Sequence, residues 1–217
     1  MPGPCFLIKD IMELVFVTGN IYKLREIQHL LGKDFKLKSL RDLGFEDEIP
    51  EIHPTLEQNA FAKASFIHDR FSVDCFADDT GLEVEILNNR PGVYSARFAE
   101  IDSDRKFKNS SELTEANIDK LLGMLKEKHS RKARFRTVIS LILKGEEFLF
   151  EGISEGRITE EKRGEEGFGY DPVFVPEGYE KTFAEMTLGE KNKISHRARA
   201  FERLVDFLRS RKDLYTK

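Results

Sequence analysis

Cysteine is scarce in this chain: Cys5 and Cys75 are the two copies among 217 residues. Two such distant cysteines make neither a disulfide framework nor a zinc-binding spacing, and a reducing, cytoplasmic setting fits them. Positive charge is not in excess. The 35 Lys+Arg and 39 Asp+Glu leave a net charge of −4, which argues against bulk binding to DNA or RNA, because that needs a net basic face. A small anionic ligand held by a few local cations is still compatible with it. No apolar run approaches the roughly 20 residues that cross a bilayer, so no membrane partner is expected. Cys5-Phe6-Leu7-Ile8, followed by Lys9-Asp10, is too short for a signal peptide. Tandem repeats, low-complexity segments and a clear linker are missing. So is a serine or cysteine nucleophile constellation, which leaves water as the economical attacking group.

What is present suffices for a sizeable core: 40% of the residues are hydrophobic and 34% charged. The length allows one large domain or two small lobes. Periodic patterning begins only after Met12, an alternative start. Residues 1–12 therefore read as an N-terminal extension outside a catalytic unit of 13–217.

Glu13 to Thr18 is a short apolar run ended by Gly19-Asn20, the pattern of a buried strand. Ile21, Leu24, Ile27 and Leu31 then recur at helical spacing. Strand, Thr-Gly-Asn loop and helix follow one another, with Lys23 in the first helical turn. The loop is neither a Walker sequence nor Gly-x-Gly-x-x-Gly. A helix N-terminus presents free N–H groups and partial positive charge, so Lys23 opposes the macrodipole unless an anion sits between them. A plain turn with an exposed lysine is the alternative.

Phe35 to Leu40 reads as another strand. An acidic segment follows, Glu46 to Glu51, of the kind that is mostly solvated. Thr55 and Gln58 have capping-box spacing before a helix whose buried face is Leu56, Ala60, Ala64 and Ile67. Asn59 and Lys63 share one stripe of it and can face one cleft. Asn88 to Gly92 is a turn cluster. Thr114 looks like the N-cap of a helix reaching Lys128. Ala133 to Leu143 is a long strand, and Phe148 to Ile153 pairs back on it as a hairpin before Ser154 to Arg157 lead into a loop. Thr187 and Glu190 again have capping-box spacing. An amphipathic helix follows, with core positions Ala198, Phe201, Leu204, Val205 and Leu208. Strands and helices alternate early and a hairpin comes late, which predicts α/β architecture with a mixed central sheet flanked by helices.

Two stretches stand out chemically. Phe76 to Leu82 runs from an apolar approach into Asp78, Asp79, Thr80 and Gly81. Neighbouring strand residues face opposite ways, so either one carboxylate points to the core side or the strand ends there and releases both into a cleft, with Gly81 permitting the end. Paired carboxylates supply hard oxygen ligands for Mg²⁺, and one can serve as a base. Taken alone, the stretch also fits a tight turn. In Gly164 to Pro172, Phe168 and Tyr170 lie on a permissive backbone, and either stack on a planar base or tuck into the core. Lys191, His196 and Arg197 add a cationic group around the start of the last helix. Cations, carboxylates and an aromatic shelf together describe a nucleoside triphosphate site.

Six segments stand in order: Thr18-Gly19-Asn20-x-x-Lys23, Asn59-Ala60-x-x-Lys63-Ala64, Ala77 to Leu82, Pro91-Gly92-x-Tyr94-Ser95-Ala96-Arg97, Gly167 to Pro172, and Lys191-x-x-x-Ser195-His196-Arg197. With them the chain resembles the inosine triphosphate pyrophosphatase family, also called the Ham1 family. The resemblance implies Mg²⁺-dependent hydrolysis of ITP, dITP and XTP to the monophosphate and pyrophosphate. It also implies a long mixed sheet, two lobes with the active-site cleft between them, and a homodimer. By position, Thr18, Gly19, Asn20 and Lys23 would hold phosphates. Glu51 and Asp79 would serve the metal, assisted by Asp78, and Asp79 would also accept a proton from water. Lys63, Thr80, Arg97, Phe168, Gly169, Tyr170, Asp171, Lys191, His196 and Arg197 would contact substrate. Thr80 stands where serine is common, and Gln58 where glutamate is common. Rivals are a Maf-type pyrophosphatase acting on pyrimidine nucleotides, and a haloacid-dehalogenase-like phosphatase, whose aspartates are separated by one residue rather than adjacent. A nucleotide-binding regulator is a third, and it could lose the carboxylates.

Overall fold

The computed structural model describes residues 12–30, 35–101 and 105–211. Apart from Met12, the expected extension lies outside them, as does Leu31. The described strands form one mixed sheet in the order β2-β1-β3-β5-β6-β7, with β4 paired to β3. The strands are β1 (Met12–Phe16), β2 (Phe35–Lys38), β3 (Cys75–Val84), β4 (Arg90–Gly92), β5 (Lys132–Leu143), β6 (Glu146–Ile158) and β7 (Phe174–Pro176). The helices are α1 (Ile21–Leu30), α2 (Leu56–Phe71), α3 (Ser110–Leu125), the single turn α4 (Leu188–Lys191) and α5 (His196–Ser210). β1 runs parallel to β2 and β3, while β3, β5, β6 and β7 alternate in direction.

Alternation along the strands decides which helix covers which face. Leu14 and Phe16 of β1, with Phe76 of β3 and Ile139 and Leu141 of β5, pack under Ile27 of α1 and Ala200, Phe201, Leu204 and Leu208 of α5. Val15, Val17, Cys75, Ala77 and Ile142 pack on the other face under Ala64 and Ile67 of α2. A further core joins Leu82, Val84, Ala133 and Phe135 to Ile118, Leu121 and Leu125 of α3. β3 and β5 therefore run from one hydrophobic lobe into another. Between the lobes they carry polar residues, Asp78 to Thr80 on β3 and Thr137 on β5, in register with each other.

Several elements differ from expectation. β3 does not end at the carboxylates but continues through Gly81, which sits against Gly92 so closely that a Cβ would lie 2.7 Å from the Gly92 carbonyl oxygen. The helix predicted from Thr114 starts one turn earlier, because the Asn109 side chain accepts from Glu112 N and caps it, and it stops at Leu125. β6 continues to Ile158, since β5 pairs with it as far as Arg157 and β7 pairs with Gly156 to Ile158. Ile21, expected on the core face, is 55% exposed.

Candidate active site

Adjacent positions on β3 send Asp78 and Asp79 to opposite faces of the sheet. Asp78 meets α1 and α5. Lys23 Nζ donates to its Oδ1 at 2.9 Å and Arg197 Nε to its Oδ2 at 3.3 Å. Burial alone would raise this carboxyl, but Lys23, Arg197 and Lys63 outweigh it and hold the group well below the usual carboxylate range. Asp79 meets α2. Asn59 Nδ2 donates to its Oδ2 at 3.0 Å and Thr80 N to its Oδ1 at 2.9 Å. Burial and the neighbouring Glu51 charge push Asp79 up to about 6, against the pull of Lys63 and Lys23. One stretch thus holds a carboxylate fixed by cations beside one that protonates near neutrality.

The stripe on α2 has the predicted orientation. Lys63, 7% exposed, donates to the Asp78 carbonyl at 2.6 Å and pairs with the Glu51 carboxylate. Asn59 Oδ1 accepts from His53 N at 2.9 Å, which ties the acidic segment to the helix start. Arg97 Nη2 donates to the Glu51 carbonyl at 2.7 Å, so the structure gives Arg97 the segment's backbone as its partner. Burial would raise the Glu51 carboxyl, but Lys63 and Lys23 together hold it below its ordinary value.

On the other face, Thr18 Oγ1 accepts from Asn20 N at 3.2 Å, and Asn20 Oδ1 caps α1 by accepting from Tyr22 N at 2.9 Å. Gly19 is exposed in that loop. The anion that relieves Lys23 at the helix start is the protein's own Asp78. The same holds at α5: Arg197, 2% exposed, pairs with Glu26 as well as Asp78, and Lys191 pairs with Glu26 and Asp171, both at 2.7 Å. Despite burial, Arg197 and Lys191 hold Glu26 below its ordinary value. Asp171 is instead raised by burial, while Lys191 draws it down.

His196 departs from its expected part as a cation. It is 3% exposed and stacked on Phe135 at 4.6 Å, and its Nδ1 lies 2.6 Å from Thr137 Oγ1. Burial, then Arg197 and Lys191, keep it neutral, with a pKa well below the usual histidine value. Tyr170 is core: it is 4% exposed and its hydroxyl donates to the Ser95 carbonyl at 3.0 Å. Asp171 accepts from Phe168 N at 2.8 Å and shapes the loop around Gly169. Phe168 remains half-buried, stacked on Tyr22 at 5.3 Å, with the Lys191 ammonium 5.0 Å and the Arg197 guanidinium 5.4 Å from its ring centre. Thr80 lies on the same face as Asp78, where its hydroxyl reaches Thr137 Oγ1 at 2.7 Å and Asp78 Oδ2 at 3.3 Å.

The Ham1 family model matches residues 14–207. The chain belongs to the Ham1 family. It is 52% identical over 197 residues to the dITP/XTP pyrophosphatase of Christiangramia forsetii, covering 91% of this chain and 99% of that one. To the dITP/XTP pyrophosphatase of Bacillus subtilis it is 44% identical, covering 90% and 96%. Among solved structures, the Ham1 protein of Staphylococcus aureus superposes with a TM-score of 0.79 at 34% identity, covering 92% of this chain and 99% of that one. A HAM1 protein from Coxiella burnetii gives 0.80 at 34%, with the same coverage.

In this Ham1 chain the motif segments meet at the polar waist, and they bring residues that motif spacing did not single out. Glu26 lies three residues beyond Lys23, hence on the same stripe of α1, a signal that was available in the sequence. Thr137 and Tyr22 had none beyond a hydroxyl in an apolar strand and an aromatic after the glycine loop. Asp78, expected to support a metal, has both oxygens taken by Lys23 and Arg197. Among the described residues no three His, Cys, Asp or Glu side chains form a closed metal cage. Glu51 and Asp79 offer oxygen donors, and Glu51 raises the Asp79 carboxyl through its charge. Mg²⁺ binds commonly through one or two carboxylates plus substrate phosphates and water, so this donor set fits an ion shared with a phosphate.

Proposed function

We propose that the protein hydrolyses dITP, ITP and XTP to the nucleoside monophosphate and pyrophosphate, using Mg²⁺, and so cleanses the nucleotide pool of the cytoplasm. The reading is supported most directly by the geometry around Asp79, a buried carboxyl that accepts from Asn59 Nδ2 at 3.0 Å beside the Lys63–Glu51 pair. The relatives, dITP/XTP pyrophosphatases by name, support the substrate class.

Asp79 accepts the proton of a water that attacks the α-phosphorus. The new oxygen–phosphorus bond replaces the bond to the β-phosphate, and pyrophosphate leaves. General-base assistance of this kind contributes about 10²–10⁴-fold. Glu51 and Asp79 would hold Mg²⁺, with Asp78 behind them fixing Lys23 and Arg197. When bound, the ion offsets charge that develops on the leaving group. Thr18, Gly19, Asn20 and Lys23 line the phosphate end, with Lys63 near the reacting centre. Phe168 would contact the purine, with Lys191, His196 and Arg197 bordering it. A backbone N–H or cationic side chain that bonds the 6-keto oxygen would be left unpaired opposite adenine, at a cost of about 1–3 kcal/mol, which disfavours ATP. Residues 13–217 form this catalytic unit, and it works as a homodimer.

Rates with ITP, XTP, GTP, ATP and UTP at equal concentration test the substrate class. ITP and XTP are expected to be fastest. A preference for UTP would place the protein with the pyrimidine-directed rivals instead.

A further inference from the structure

Thr137 is a hydroxyl in the middle of an apolar strand and is fully buried. It lies opposite Thr80 in the β3–β5 register. Its Oγ1 is 2.7 Å from Thr80 Oγ1 and 2.6 Å from His196 Nδ1. Thr80 Oγ1 in turn is 3.3 Å from Asp78 Oδ2 and receives Arg197 Nη2 at 3.3 Å.

The chemistry of the ends gives this chain of bonds a direction. A guanidinium only donates, an ionised carboxylate only accepts, and a hydroxyl has one proton. Asp78 is held as the carboxylate by Lys23 and Arg197. Thr80 accepts from Arg197 and gives its proton to Asp78, the charge-assisted direction. Thr137 then gives its proton to Thr80, and must accept from His196. The ring proton therefore sits on Nδ1. Among the described residues Nε2 makes no hydrogen bond, and the stack on Phe135 fixes the plane in which its lone pair lies. Burial and the adjacent Lys191 and Arg197 keep the ring neutral.

We propose that Thr137 is a positioning residue for specificity: it holds His196 as the Nδ1–H tautomer, so that Nε2 presents an acceptor to the purine base. A 6-oxopurine carries a proton on N1 and satisfies that acceptor. Adenine presents a lone pair at N1 and leaves two acceptors facing each other. The base-reading half of this inference rests on the function proposed above; the tautomer does not.

The test uses ¹⁵N-histidine-labelled full-length protein and NMR of the ring nitrogens, with His196 assigned through His196→Gln. Wild type and Thr137→Ser are expected to show the Nδ1–H pattern. Thr137→Val, which keeps the shape and loses the hydroxyl, is expected to lose that pattern. In parallel, the ITP-to-ATP ratio of kcat/KM is expected to fall about tenfold in Thr137→Val, mainly through KM for ITP, and to recover in Thr137→Ser, the scale of one hydrogen bond. A wild-type ring protonated on Nε2 would overturn the proposal, and needs no variant to be folded. An unchanged ratio in a folded Thr137→Val would overturn it as well. If wild type turns over no purine triphosphate, the functional reading fails while the tautomer still stands or falls on the spectrum.

Discussion

At the scale of single residues, Asp78 and Asp79 carry opposite linkages to pH. The Asp78 carboxyl is depressed by Lys23, Arg197 and Lys63 against burial, so its stabilising contribution is present above its unfolded pKa near 4 and is lost as the pH falls below it. The Asp79 carboxyl is raised by burial and Glu51 to about 6. The metal-free fold therefore binds this proton more tightly than the unfolded chain, and loses stability as the pH rises from about 4 to about 6. The account predicts that Asp79→Asn abolishes turnover without unfolding the protein. Its melting temperature relative to wild type, measured without metal, should rise between pH 4 and pH 7. A flat difference would show that Asp79 titrates as an ordinary exposed acid. Glu26 tests the other face. Its carboxylate holds Lys191 and Arg197 in a buried network, and breaking such a pair costs about 3–5 kcal/mol. Glu26→Gln should lower the melting temperature by several degrees and raise KM, because both cations border the proposed base site. Unchanged values of both would leave Glu26 without a positioning role.

At the scale of elements, the site depends on how closely α5 lies on the sheet. A Cβ at Gly152 of β6 would lie 2.0 Å from the His196 carbonyl oxygen and 2.4 Å from Ala200 N. Gly152→Ala must push the first turn of α5 outward, with an overpacking cost of about 1–3 kcal/mol. Because that turn carries His196 and Arg197, kcat/KM should fall by more than stability does, as thermal melts and kinetics on one preparation would show. The elements themselves were readable where an apolar run or a cap was strong: β1, β5, α2 and the turn capped by Thr187 follow from residue pattern. α3 was misplaced because Asn109 caps as well as Thr114 would, and lies one turn upstream. The end of β6 was hidden because Ser154 to Arg157 are polar residues and a glycine, which carry no apolar strand pattern, while their backbone pairs with β5. Local sequence does not report a partner strand. For the same reason the motifs were legible but their partners were not. Lys23 and the start of α5 were expected to need an external anion, and only the fold brings Asp78 and Glu26 to them.

At the scale of the whole molecule, two hydrophobic lobes share β3 and β5, and the proposed chemistry lies where those strands turn polar between them. The strands place carboxylates and hydroxyls within a rigid sheet, while α1, α2 and α5 bring cations from both sides. No described helix is long and apolar enough to cross a membrane. The homodimer proposed above predicts a solution mass near twice that of the 25.1 kDa chain by light scattering, and a monomer mass would remove it. The central claim is the reaction itself. Its most direct test is incubation with ITP and Mg²⁺, with IMP, pyrophosphate and orthophosphate measured together. The account predicts IMP and pyrophosphate in equal amounts. Release of orthophosphate with IDP, and without pyrophosphate, would contradict it.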